Sequence, residues 1–87
     1  MKLTTDTMLL PPKPLKGRLR DLDAIVVRRL EAGETEMTNA SLYGEIGMLD
    51  RNFRALVQKP EWHARRAQLG LNPQQLSGRM MGLRLVT

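Results

Sequence analysis

The stretch from Thr38 to Val57 constrains this chain more than any other. Leu42, Ile46, Leu49, Phe53 and Leu56 recur at intervals of four, three, four and three residues. At ~100° per residue that spacing gathers them into one apolar stripe on an α-helix. Ala40, Gly44 and Gly47 fall about half a turn away, on the opposite face. The spacing predicts a helix from Ala40 to Val57 or Gln58, capped by Thr38 or Asn39 through a bond from a backbone N–H. Such a helix has two usable surfaces. The stripe packs within its own domain, and the small-residue face lets another backbone come close. Gly44 and Gly47 together cost ~2 kcal/mol relative to Ala in an exposed helix. A contact between copies would offset that cost, so Ala40, Gly44 and Gly47 are the candidate oligomer interface.

A partner helix precedes it. Leu15, Leu19, Leu22, Val26 and Leu30 form a second stripe, Pro14 suits its start and Gly33 suits the position that ends it. Two helices of similar length joined by about six residues fold back as an antiparallel hairpin over residues 15–58. Pro60 and Glu61 open a short third helix that runs to about Leu69, with Trp62 and Leu69 on one face and Arg65 and Arg66 more outward. Trp62 is expected in the core rather than stacked on a base, since proteins bury most of a tryptophan. Asn72-Pro73 reads as the start of a fourth helix, with Leu76, Met80 and Leu83 on its apolar side and Gly78 and Gly82 weakening it. Residues 84–87 read as loose or strand-like. Residues 1–14, with Pro11, Pro12 and Pro14, read as an extended arm. The expected architecture is therefore all-α: an arm, a helical hairpin and a basic C-terminal segment, 59–87, of two short helices.

Charge points to a partner. Residues 1–50 hold seven Lys/Arg against eight Asp/Glu, and residues 51–87 hold seven against one. The whole net charge of +5 thus resides in the C-terminal part. Such asymmetry suits an anionic partner, nucleic acid above all. Arg51, Arg54, Arg65, Arg66, Arg79 and Arg84 are the candidate DNA-binding residues, because the planar guanidinium grips phosphate oxygens in two places. With only Tyr43, Phe53 and Trp62 aromatic, a single-strand stacking platform is disfavoured, and double-stranded DNA is the expected form.

Chemistry is sparse. The chain has no cysteine, so disulfides and thiolate metal sites are excluded. His63 is the lone histidine, and neither a glycine elbow nor a metal motif accompanies it. The acids Asp21, Asp23, Glu31, Glu34 and Glu36 read as helix-face charges, and no phosphate-cradling loop is present. The expectation is no enzyme, no metal and no cofactor. No apolar run approaches the ~20 residues of a membrane span, and Met8-Leu9-Leu10 is too short for a signal peptide; the expected location is the cytoplasm.

One family resemblance falls on residues 21–57. Asp21-Leu22-Asp23 opens an amphipathic helix ending in Arg29-Leu30-Glu31-Ala32-Gly33-Glu34. A polar link leads to Thr38-Asn39-Ala40-Ser41-Leu42-Tyr43, then Ile46 and Leu49-Asp50-Arg51-Asn52-Phe53. This resembles small terminase subunits of podovirus-type tailed phages. The resemblance implies a ring-forming homo-oligomer that binds DNA for viral genome packaging in the bacterial host cytoplasm. It also implies a separate large terminase supplying the ATPase and nuclease. It places no DNA contact on a named residue. Two alternatives stand beside it. Residues 64–76 look like the opening of a helix-turn-helix, so Arg65–Leu83 is a candidate truncated motif of a dimeric transcriptional regulator. A protein-binding adaptor or antagonist that ignores DNA is the other.

The small-residue face yields a direct prediction. Gly44→Leu is expected to lower the oligomer mass measured by light scattering while leaving helicity by circular dichroism nearly intact. An unchanged mass removes that face from assembly.

Overall fold

The computed structural model describes residues 15–86; the expected arm, 1–14, lies outside them. Four helices and three strands follow in the order α1 (Gly17–Glu31), β1 (Glu36–Thr38), α2 (Asn39–Ile46), α3 (Asp50–Val57), α4 (Pro60–Gln68), β2 (Leu71–Leu76) and β3 (Arg79–Leu85). The strands form one antiparallel sheet in the order β1-β3-β2. The fold is mixed α/β, which corrects the all-α expectation.

α1 follows its stripe. Leu19, Leu22 and Val26 are buried, joined by Ile25. Its end is fixed by two backbone bonds, from the Gly33 N–H to the Leu30 carbonyl at 3.0 Å and from the Glu34 N–H to the Arg29 carbonyl at 3.0 Å. These satisfy carbonyls that the last helical turn leaves open. α4 begins at Pro60 in the first helical turn, where the missing N–H costs nothing.

The single long helix expected over 40–58 is instead two. Gly47 sits at φ 83°, in the left-handed region. The N–H groups of Gly47 and Met48 both donate to the Tyr43 carbonyl at 2.9 Å, which closes α2. Leu49 is extended at φ −77°, ψ 152°, and the Phe53 N–H then donates to its carbonyl at 2.9 Å to open α3. Thr38 caps α2 as expected, its Oγ1 accepting from the Ser41 N–H at 3.1 Å. Leu42 and Phe53 are buried on either side of the turn, whereas Leu49 is 60% exposed. The stripe is therefore broken in space although unbroken in spacing.

The fourth helix expected from Asn72 is instead the hairpin β2–β3. Ser77 and Gly78 both have positive φ, 52° and 79°, the conformation a two-residue hairpin turn demands. Pro73, which cannot donate to a ladder, is accommodated because β2 is an edge strand. Between the partners of Gln74 and Gln75, β3 carries one extra residue, Met81, a bulge in the hairpin. Leu71 and Leu83 turn into the core, a burial that outweighs the helical spacing of Leu76, Met80 and Leu83. β3 pairs on its other side with β1, Met37 opposite Leu83 and Thr38 opposite Gly82. The two strands come so close there that a Cβ on residue 82 would collide with the Met37 carbonyl oxygen and stand 2.9 Å from the Thr38 Cα.

One core joins the sheet to all four helices. Its largest fully buried side chains are Trp62, Phe53, Leu22, Leu42, Leu71 and Val26. Trp62 is thus a core residue, as expected.

The turn at Gly47 gives a test whose sign discriminates. In a continuous helix, Gly47→Ala would stabilise by about 1 kcal/mol. At a left-handed φ it destabilises by about 1–2 kcal/mol. The structure predicts a lower urea midpoint for Gly47→Ala.

Candidate nucleic-acid interface

α2 and α3 are each eight residues long and are joined by three, Gly47, Met48 and Leu49. A glycine-containing turn of this length also occurs in helix-turn-helix connections. The sequence placed a truncated helix-turn-helix at Arg65–Leu83 instead. That placement is corrected: Gly70 is followed by the strand β2, so no second helix follows α4.

The core orients α3. Phe53, Leu56 and Val57 are buried, which at ~100° per residue turns Arg51, Arg54, Ala55 and Gln58 outward. Phe53 also packs against Tyr43 of α2 with ring centroids 5.7 Å apart and planes tilted by 58°. The hairpin is held to the same side, because the Asn39 side-chain amide at the start of α2 donates to the Met80 carbonyl at 2.8 Å. Between these elements opens a cleft of about 700 Å³. Ala40 and Tyr43 line it from α2, Arg54 and Gln58 from α3, and Arg79 and Met80 from β3.

Six arginines were expected at DNA, and the structure separates them. Arg51 and Arg54 lie on the outward side of α3, and Arg54 lines the cleft together with Arg79, which stands at the turn end of the hairpin. Arg51 and Arg79 are exposed, and neither forms an ion pair among the described residues. Arg54 does: its Nη2 stands 2.7 Å from Asp50 Oδ2, one helical turn earlier. Arg66 lies half-buried on α4, and Arg84 is exposed on β3 opposite Glu36 and Asn72. Neither lines the cleft. Arg65 is 2% exposed, and its Nε donates to Asp23 Oδ1 of α1 at 2.6 Å. Its guanidinium is a core group, out of reach of any phosphate in this fold.

The small-residue face also divides. Ala40 and Gly44 are exposed on α2, and a Cβ on Gly44 would meet nothing within 4 Å. Gly47 is not on a helix face at all. Its turn conformation accounts for the glycine, so only Gly44 carries an unexplained cost in helix stability. The other flank of α2 is closed by α1: Arg29 bonds Ser41 Oγ at 2.7 Å and pairs with Glu45 at 2.5 Å, and Arg28 pairs with the same carboxylate.

Sequence reasoning missed Asp50 and Gln58 as members of this surface. The available signal was Gly47 itself, a helix-ending residue followed three positions later by an acid suited to a first helical turn. Among the described residues, no group of three or more His, Asp or Glu is placed to hold a metal ion. No helix among them is long and apolar enough to cross a membrane. No known family model matches the chain, and comparison with characterised proteins and with solved structures gives no significant match.

The buried pair carries a stability prediction. Asp23→Ala is expected to cost about 3–5 kcal/mol, the range for removing one partner of a buried ion pair. Denaturant unfolding measures it, and a loss below about 1 kcal/mol would assign Arg65 little dependence on Asp23.

Proposed function

We propose that this chain is a non-enzymatic module that binds double-stranded DNA through α2, the Gly47 turn and α3. α3 enters the major groove by its Arg51 face, and the β2–β3 hairpin lies beside it against the backbone. The single observation that carries this reading is the arrangement of α3. Its large apolar residues Phe53, Leu56 and Val57 are turned inward, Arg51, Asn52, Arg54 and Ala55 are exposed, and Arg79 lines the same cleft as Arg54. A second helix held this way over a glycine turn is the geometry with which helix-turn-helix proteins reach base edges, while the first helix crosses the backbone. The support is geometric and electrostatic, and the step from fold to function is by analogy.

The likeness to small terminase subunits spans residues 21–57, which include both helices of this unit. In that setting the DNA face would serve genome packaging within a homo-oligomer, beside a large terminase. In a transcriptional regulator the same face would serve a dimer on an operator. Particle mass on DNA separates the two, since a ring is several times heavier than a dimer.

The DNA reading is tested by anisotropy titration of duplex DNA over a range of salt. Arg51→Ala and Arg79→Ala are each expected to weaken binding to all sequences and to reduce the slope of log K against log salt by about one. Unaltered slopes in both variants would remove these residues from the phosphate contacts. A wild-type chain indifferent to duplex at low salt would sink the reading.

A further inference from the structure

The geometry points to Asp50 and Arg54 as a base-reading couple that selects a G·C pair, an inference that rests on the DNA-binding proposal above. Their side chains are 44% and 62% exposed, so the pair is not a core contact. Both border the cleft that opens toward Arg79 and Met80. Arg54 Nη2 engages one carboxylate oxygen of Asp50 at 2.7 Å. A guanidinium has five N–H donors and a carboxylate about four acceptor sites, so most of each group remains available.

What remains forms a pattern. The couple presents donors from Arg54 next to an acceptor from Asp50. In the major groove a G·C pair presents two acceptors, guanine O6 and N7, next to a donor, cytosine N4. The two patterns are complementary in order. An A·T pair offers an acceptor, a donor, an acceptor and a methyl group; adenine N7 and N6 then engage one Arg54 donor and the Asp50 carboxylate but leave the second Arg54 donor without an acceptor, so G·C is favoured by one hydrogen bond. The carboxylate also has a cost that phosphate binding alone does not explain. A negative charge on the cleft side of α3 opposes the backbone, a cost set against its support of the first helical turn. Arg51, which has no ion pair among the described residues, supplies charge without this constraint. Asp50 thus disfavours sequences that cannot give it a donor, and it holds Arg54 in one orientation for those that can.

The experiment uses the full 87-residue chain and a pool of duplexes randomised across one helical turn, with bound sequences counted. The wild type is expected to fix a G·C pair at one position. Asp50→Asn and Arg54→Lys are each expected to reduce that preference about tenfold, the first by turning half of the acceptor into a donor, the second by losing the planar fork. Arg51→Ala is expected to weaken binding to the whole pool and keep the preference. Thermal unfolding of each variant confirms that it is folded. If the wild type binds duplex with a steep salt dependence but Asp50→Asn retains its base preference, the couple is helix support and this inference fails alone. If the wild type binds no duplex, this inference and the DNA-binding proposal fall together.

Discussion

Strand β3 holds the architecture together, and it does so because residue 82 has no side chain. β3 is the central strand, with β1 on one side and β2 on the other. β1 immediately precedes α2, so the closeness of β1 to Gly82 fixes where α2 begins. The Asn39 amide bond to the Met80 carbonyl extends that tie one residue beyond Thr38 and two beyond Gly82. Arg54 of α3 and Arg79 at the turn end of the hairpin border one cleft, beside a C-terminal strand threaded tightly against the strand before α2.

The opposite side of the molecule is tied differently. α1 and α4 meet through Arg65 and Asp23, a buried pair in which the guanidinium is almost wholly withdrawn from water. Desolvating two charges costs several kcal/mol, and the 2.6 Å contact repays it only through good geometry. An apolar pair of similar volume could equal it in stability. The ion pair adds directionality: it sets one rotation of α4 against α1, which a greasy contact would leave looser.

The elements legible in the sequence were those with local punctuation. Gly33 ends α1 and Pro60 opens α4, each acting within one turn of its own position. The break at Gly47 was hidden because the stripe keeps its four-three spacing straight through the turn, so periodicity alone supports one helix or two. β2 and β3 were hidden for a related reason. Leu76, Met80 and Leu83 mimic a helical face, while β3 is also held by pairing with residues 36–38, more than forty positions away from its Gly82–Arg84. Gly78 and Gly82, noted only as weaknesses of a helix, were the evidence against one. At the site, the outward arginines of α3 followed from helix geometry. Arg65 was misplaced because its charge was weighed above its position. It lies three residues after Trp62 and four before Leu69, on the very face that the tryptophan buries.

The β2 edge limits how copies of this chain can meet. With Pro73 lacking an N–H, that edge offers an incoming strand an incomplete row of partners. The opposite edge, β1, is only three residues long. Growth of the sheet from one molecule into the next is therefore discouraged at both borders. Contact between copies through the described helices would instead rest on side-chain packing, which can form and dissolve without rewriting a hydrogen-bonded ladder.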